Sequence, residues 1–451
     1  MNNKKVILSS LYKSNKNYLY DYFNELNIIN IIYCKFLKKN KTYNQIEYLK
    51  IKKACLDLKK KKFKPLFKKF FNRGYYFEYE RYLTKKIGPH LSGKMHTGRS
   101  RNDLEATIYK VLLKKKLIAN LKDQTNLLQK LINKFSNDKQ LLPFYTQHQF
   151  STFITVNHYF NSNILAFFNY LDKIIDFKDF INECPLGSSG LSGSSINIDY
   201  KELSKNLKFK SNLSNSHRLI SEYEFYLSYI NDLNLIVLKW SRILQDITIL
   251  HNENNKIVSF KKEFYGRSSY FPHKQNIYLI EYAQNLCSKL INYSTYFFEG
   301  IKKTVNSNSF DAKLIIRDNY FYFNEYKELI NVIEYIIQNI RFCKIDILDQ
   351  KFDKLFLTYL QNYIISLNSK KNMRQLNNSL FELSSSGKNF SEIYNLYKKE
   401  FEIKIGKNIN EVKLFLIKSN RFGKGPNDVS LINKNHLILN LNKLKKKIKK
   451  F

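Results

Sequence analysis

Residues 267–276 read Arg267-Ser-Ser-Tyr-Phe-Pro-His-Lys-Gln-Asn276, with Glu281 a little beyond. The stretch follows Gly266, the first glycine after Gly193, and holds the first proline after Pro185. Two serines, a lysine and an asparagine in one turn can hold a carboxylate and take a proton beside it. The same residues also suit a plain polar connection between two long helices. What surrounds them decides between the two.

The chain has 451 residues, room for two or three domains, and 43% of them are hydrophobic, which marks a globular protein. Lys and Arg total 76 against 38 acidic residues, giving a formal charge of +38 and a pI near 9.7. A charge of that size ordinarily points to nucleic acid or an anionic surface. Here 65 of the basic residues are Lys and 11 are Arg, and Asn, Ile, Tyr and Phe are abundant as well. Codons rich in A and T encode that set, so mutational bias accounts for the charge and no specific nucleic-acid partner is expected. Five cysteines, Cys34, Cys55, Cys184, Cys287 and Cys343, are widely spread with no C-x-x-C pair. That excludes a zinc site or disulfide framework and fits a reducing compartment. No apolar run approaches the roughly 18 residues of a membrane span. The first twenty residues lack the apolar core of a secretory signal. The expectation is a cytoplasmic protein without a metal or cofactor.

Bias makes the scarce residues informative. Of 13 Gly and 6 Pro, Gly93, Gly98, Gly187, Gly190, Gly193 and Gly266, with Pro143, Pro185 and Pro272, lie in or beside four short polar stretches. Glycine supplies backbone shapes open to no other residue at low cost, and proline fixes one. Their clustering marks loops whose geometry matters.

Taken in order, residues 1–101 read as helical. Lys59–Lys62 with Lys64, Lys68 and Lys69 form a basic run suited to a solvated face, and Gly74–Lys86 is an aromatic helix ending near Gly88-Pro89. Then comes Ser92-Gly-Lys-Met-His-Thr-Gly-Arg-Ser-Arg-Asn-Asp103. Arg99 and Arg101 stand between a glycine and Asn102-Asp103, a pair that can start a helix. Guanidinium groups beside the N–H groups of a helix start make a carboxylate clamp; a charged helix start without a ligand is the plainer alternative. Leu104–Leu142 holds neither Gly nor Pro and reads as one long helix. Pro143-Phe-Tyr-Thr-Gln-His-Gln149 and Pro185-Leu-Gly-Ser-Ser-Gly-Leu-Ser-Gly193, running on to Ile198-Asp199, complete the four polar stretches. Leu227, Ile230, Leu233, Val237, Trp240, Leu244 and Ile247 recur at three and four residues, an amphipathic stripe of the kind that packs in bundles. Ile277–Ile301 is helical again, and the absence of proline between Pro272 and Pro426 suits further helices. Leu355–Leu367 and Phe390–Phe401 read as helices of a smaller C-terminal domain, and the basic tail Lys443–Lys450 is expected to fray.

The four stretches, in this order, resemble motifs of the fumarase/aspartase superfamily, and within it of the argininosuccinate lyases. Ser-Ser-x-x-Pro-x-Lys-x-Asn-x-x-x-x-Glu, from Ser268 to Glu281, resembles the superfamily's signature loop, with Arg267 in place of Gly and Phe271 in place of Met. Gly93–Asp103 is very similar to Gly-Lys-Leu-His-Thr-Gly-Arg-Ser-Arg-Asn-Asp, which sister enzymes write differently. Tyr145–Gln149 resembles Tyr-Thr-His-x-Gln, with Thr155 and His158 in register, and Pro185–Gly193 resembles Pro-Leu-Gly-Ser-Gly-Ala-Leu-Ala-Gly. Asn215-Ser216 and Ser221-Glu222 stand where the family has Asn-Ser and Ser-Asp.

The resemblance implies an all-α fold, with a central long-helix bundle over residues 102–350 between smaller helical domains at 1–101 and 351–451. It implies a homotetramer whose sites draw on three subunits, and a β-elimination that releases fumarate from a small-molecule substrate. Ser268 then inherits the role of base. Lys274 and Asn276 match residues that hold the carboxylate and its developing charge, and Glu281 a carboxylate supporting the opposite side. Asn102 and Thr146 match substrate contacts, with Gln149 beside them; Arg99 and Arg101 lie in the clamp, and Ser10 of Ser9-Ser10 stands for an N-terminal substrate serine. The chain also departs from the pattern. Gln147 replaces the family's catalytic His, with His148 displaced by one. The contacts to the arginine half fall at Asn308, Lys313 and Ile316, none of which matches, and an Asp-x-His pair before Glu80 has become Gly74 and Tyr76. Three readings stand: an argininosuccinate lyase; another fumarate-releasing lyase, such as one acting on adenylosuccinate, or one of altered specificity; and a non-catalytic relative kept for structure or binding, or a basic nucleic-acid binder.

Overall fold

The structure, a computed structural model, describes residues 10–12, 16–67, 74–197, 199–210, 215–252, 256–367, 371–419 and 433–450. Ser9, Lys68, Lys69, Ile198 and Pro426 lie outside the described residues. The N-terminal part holds α1 (Lys16–Lys39), α2 (Gln45–Lys60), α3 (Tyr75–Ile87) and the short α4 (Pro89–Lys94). Asn44 caps α2 in a capping box with Glu47, so two backbone donors at the helix start are satisfied reciprocally. Lys59–Lys62 and Lys64, at the far end of that helix, are exposed as the sequence reading has them.

The central part is built on α5 (Arg101–Phe135), a 35-residue helix. Its cap is Ser100, one residue before the Arg101-Asn102-Asp103 run, and Asp103 closes the box by accepting the Ser100 N–H at 3.0 Å. The sequence reading carries this helix on to Leu142, and there the structure differs. The helix stops at Phe135, and β1 (Leu141–Thr146) pairs antiparallel with β2 (Gln149–Thr155) in a hairpin, Pro143 opposite Phe153. Pro143 has no N–H to give a helix, and Thr152, Ile154 and Thr155 are β-branched residues that suit a strand.

Next come α6 (Val156–Asp176), the short α7 (Lys178–Ile181), α8 (Tyr200–Asn206) and α9 (Ser216–Ser221), then α10 (Glu224–His251). The two-residue strands β3 (Val258–Ser259), β4 (Gly266–Arg267) and β5 (Gln275–Asn276) precede α11 (Tyr278–Ile301) and α12 (Phe310–Asn339), and β6 (Arg341–Phe342) pairs back onto β3. Helix α11 packs against both α10 and α12, α12 against α5, and α6 against α5 and α10, which makes the bundle. Ile230, Leu233, Val237, Trp240, Leu244 and Ile247 of α10 are buried, with Trp240 against Phe167 of α6 at 4.7 Å between ring centroids. Each such side chain contributes about 1.5–3 kcal/mol on burial. The core is continuous from the N-terminal helices through the bundle.

The C-terminal segment divides in its packing. Helices α13 (Leu355–Ser366), α14 (Met373–Ser385), α15 (Phe390–Glu400) and α16 (Ile409–Ser419) form a second core, seated on the hairpin through Phe153. The Tyr359 hydroxyl oxygen accepts the Phe153 N–H at 2.9 Å. The last helix, α17 (Lys434–Lys449), leaves that core and lies against α5 and α6. Its tail does not fray as expected: Leu437, Leu441, Leu444 and Ile448 are buried, and Lys447 bonds Asp172. The lysines hide an apolar stripe at four, three and four residues, which is a helix face. Among the described residues no helix is long and apolar enough to cross a membrane.

Candidate active site

Two of the polar stretches meet at the start of α5. The Asp103 carboxylate is fully buried and accepts the backbone N–H of Gly187 at 2.9 Å and of Ser189 at 3.0 Å. Asn102 donates from Nδ2 to the Gly190 carbonyl at 3.2 Å. The glycine-rich loop thus serves as a cradle for the helix start. A side chain at Gly187 is strained twice over: its φ is +105°, and a Cβ would lie 2.0 Å from the Tyr200 ring, which would have to move. Burial pushes the Asp103 carboxyl up to about 6, against the pull of these amides and of Arg99. His96 moves down to about 4, through burial first and then the charges of Arg99 and Arg101. Its ring stacks on Tyr76 at 5.0 Å, with the Tyr76 hydroxyl 3.0 Å from Nδ1.

The two arginines take different roles. Arg99 turns inward, 5% exposed, with its guanidinium 4.5 Å from the centre of the Tyr33 ring and a hydrogen bond to Asn30. Arg101 lies over Phe77 at 4.5 Å and, with Asn102, lines a cavity of about 300 Å³ between α5 and the start of α12. Asn308, Lys313 and Arg317 line its other side. Ile316, where the resemblance puts a family contact that the residue does not match, is buried in the core at 2% exposure. The segment after the exposed Ser10 closes one wall. The Leu11 carbonyl accepts from Arg317 Nη1 at 2.7 Å, and the Tyr12 carbonyl from the Tyr75 hydroxyl at 3.1 Å.

The 267–276 stretch is a loop closed at its base by β4 and β5, Gly266 opposite Asn276. Ser268 Oγ accepts the N–H of Phe271 at 2.9 Å and of Tyr270 at 3.3 Å. Lys274, Asn276 and Glu281 line a second cavity of about 520 Å³ with Thr248 and Asn252. Asn276 Nδ2 donates to the Tyr278 hydroxyl at 3.3 Å, and the Tyr278 ring lies where a Cβ on Gly266 would stand, 1.9 Å away.

Thr146, Gln147, His148 and Gln149 form the exposed tip of the β1–β2 hairpin. Gln147 and His148 both have positive φ, 50° and 63°. Tight two-residue hairpin turns need that backbone and usually take Asn-Gly for it.

A family model described as a lyase matches residues 15–291, well over half of the chain. The chain belongs to this lyase family. Among its relatives, the "Probable argininosuccinate lyase" of Schizosaccharomyces pombe is 27% identical over 233 residues, 51% of each chain. The argininosuccinate lyase of Ehrlichia chaffeensis is 29% identical over 203 residues, 44% of this chain and 42% of its own. That of Prochlorococcus marinus is 31% identical over 202 residues, 45% and 44%. These matches span about half or less of the relatives' length. Among solved structures, EDDS lyase in complex with formate superimposes with a TM-score of 0.75 at 14% identity, covering 99% of this chain and 90% of that one. Class II fumarase from Schistosoma mansoni gives 0.64 at 15%, covering 80% and 87%. The fold is therefore the all-α fold of the fumarate lyases.

In this lyase the candidate residues fall into three groups on one chain: Arg101 and Asn102 at the first cavity, Lys274, Asn276 and Glu281 at the second with Ser268 earlier in the same loop, and 146–149 at the hairpin tip. No hydrogen bond or ion pair among the described residues joins one group to another. Arg317 and Glu105, which also lines the first cavity, are missing from the sequence reading. Glu105 stands one helical turn beyond Arg101 on the same face, and Arg317 one turn beyond Lys313, a spacing that points to both.

Proposed function

We propose that this lyase is an argininosuccinate lyase, splitting argininosuccinate into arginine and fumarate by β-elimination. The observation that carries the proposal is the Gly93–Asp103 stretch, which sets Arg101 and Asn102 at the lip of a cavity and is locked from behind by the glycine-rich loop. The argininosuccinate lyases among its relatives support the same substrate.

Ser268 acts as the base. The two N–H groups on its Oγ stabilise negative charge there, and Lys274 supplies a cation for the dianion that forms when the proton leaves the carbon beside the carboxylate. Asn276 holds the carboxylate, and Glu281 supports the side of the site opposite. Asn102, Arg101, Ser10, Thr146 and Gln149 position the substrate. The C–N bond then breaks and the departing nitrogen takes a proton from water, which reaches the exposed hairpin tip. Gln147 can donate or accept a hydrogen bond but cannot titrate near neutral pH, so it preserves the hydrogen bonding of the family's histidine without its proton transfer. The reaction is redox-neutral, and these side chains supply base, cation and donors without a cofactor.

Three groups of residues on one chain make a single site only in an assembly, and we assign the protein to a homotetramer with shared sites. Leu238 of α10, with Ile291 and Phe298 on one side of α11, are exposed and offer an apolar face for it. The setting is cytoplasmic arginine biosynthesis. Fumarate release from argininosuccinate, followed by ultraviolet absorbance, tests the proposal. Turnover that Ser268→Ala abolishes is the expected result; no fumarate, or fumarate from adenylosuccinate instead, overturns it.

A further inference from the structure

The pairing of β1 with β2 slips once. Phe144 faces Thr152 and Tyr145 faces Phe150, so Ser151 is an extra residue on β2. Such a bulge bends the strand and re-aims what lies beyond it, and bulges gather next to active sites. Beyond this one stand Tyr145 and the tip, Thr146–Gln149.

Each strand is fastened separately. On β2 the Tyr359 hydroxyl, from the C-terminal core, accepts the Phe153 N–H and lies 2.9 Å from Thr152 Oγ1. On β1 the fastening is at Tyr145 itself, whose hydroxyl donates to Asp246 Oδ1 of α10 at 2.5 Å. The other carboxylate oxygen, Oδ2, accepts the Tyr159 hydroxyl of α6 at 2.6 Å. Burial, with this carboxylate beside them, pushes both phenols up, so both stay protonated and donate.

The two bonds reach different parts of the fold. Tyr159 ties α6 to α10, two helices that already pack on each other. Tyr145 is bonded one residue before Thr146 and two before Gln147, where the chain becomes exposed. The same helix α10 carries Thr248 and Asn252 into the second cavity, beside Lys274 and Glu281. Asp246 therefore refers the tip to the bundle that carries the other candidate groups. Placement matters to rate, a shift of ~1 Å costing as much as ~10²-fold.

We propose that Asp246 is a positioning residue for the elimination: through the Tyr145 hydroxyl it fixes Thr146 and Gln147 against the bundle. The proposal rests on the function proposed above and adds to it the device that aims the hairpin tip.

The test compares Tyr145→Phe with Tyr159→Phe in the full-length protein. Each removes one hydroxyl from the same carboxylate and leaves a ring in place, and thermal melting checks the fold of both. A hydrogen bond to a charged group corresponds to roughly 10- to 100-fold. Tyr145→Phe is expected to lower kcat/KM for fumarate release by about tenfold or more, and Tyr159→Phe to stay within about threefold of the parent. Hydrogen exchange gives a readout independent of turnover. Amides of residues 145–150 are expected to exchange about tenfold faster in Tyr145→Phe and within about threefold of the parent in Tyr159→Phe. Tip exchange that is equal in the two variants, or equal losses of rate, overturns the proposal. A parent that releases no fumarate from argininosuccinate removes the proposed function instead, and the exchange difference alone then decides whether Asp246 anchors the tip.

Discussion

The carboxylate of Asp103 and the backbone amide of Gly187 are 2.9 Å apart, and this one bond ties the longest helix to the glycine-rich loop. Asp103→Asn puts an amide NH₂ where an oxygen now accepts an N–H, so donor faces donor on one side. The expected cost at neutral pH is about 1–3 kcal/mol in urea unfolding. Because Asn102 and its bond to Gly190 sit in the same turn, KM is expected to rise as well.

Asp103 and His96 set opposite pH dependences in nearly the same window. Asp103 is raised from 3.8 to about 6, so its contribution to stability is full below about 3.8 and is lost as pH rises toward 6. His96 is lowered from 6.5 to about 4, so its contribution is full above 6.5 and is lost as pH falls toward 4. Parent-minus-variant stability is therefore expected to fall with pH for Asp103→Asn and to rise for His96→Gln. Thermal melts between pH 4 and 6.5 measure both, and slopes of the same sign would refute the assignment.

The loop base makes a separable prediction. In Gly266→Ala the new Cβ displaces the half-exposed Tyr278 ring, which then swings into solvent and releases Asn276. Tm is expected to stay close to the parent's while turnover drops roughly 3- to 10-fold, the worth of one hydrogen bond. Tyr278→Phe removes the same bond with no clash and is expected to match it.

At the hairpin tip, strain and chemistry come apart. Left-handed backbone costs roughly 1–2 kcal/mol for a residue other than glycine, so His148→Gly is expected to stabilise the protein by about 1 kcal/mol and leave turnover unchanged. Gln147→His restores a titratable group and is expected to raise turnover, general acid–base assistance being worth ~10²–10⁴-fold. Loss of activity in His148→Ala would make His148 the proton donor.

The helices of the bundle were readable because burial imposes a period: every residue of the α10 stripe from Ile230 to Ile247 is buried. Two elements escaped. The β1–β2 hairpin lies in a stretch without glycine; Pro143 reads equally well as a loop, and the β-branched Thr152, Ile154 and Thr155 are too few to settle a strand. Helix α17 was masked by lysines that cover Leu437, Leu441, Leu444 and Ile448. In the site, the resemblance puts a family contact at Ile316, which does not match it, and a helix presents residues by face. Lys313 and Arg317 share the face toward the cavity, and Ile316 turns to the core. Arg99 looks like Arg101 in sequence and is separated from it only by packing against Tyr33.

The shared site is tested most directly by mixing two variants and measuring fumarate release from argininosuccinate. Ser268→Ala lacks the base, and Asn102→Ala lacks a substrate contact in another of the three groups. The parent is expected to turn over and each variant alone to be inactive or nearly so. A mixture, dissociated and reassembled, is expected to recover part of the parent's rate, because some sites then draw an intact Ser268 and an intact Asn102 from different subunits. A parent that releases no fumarate, or a mixture as inactive as its components, would contradict the account.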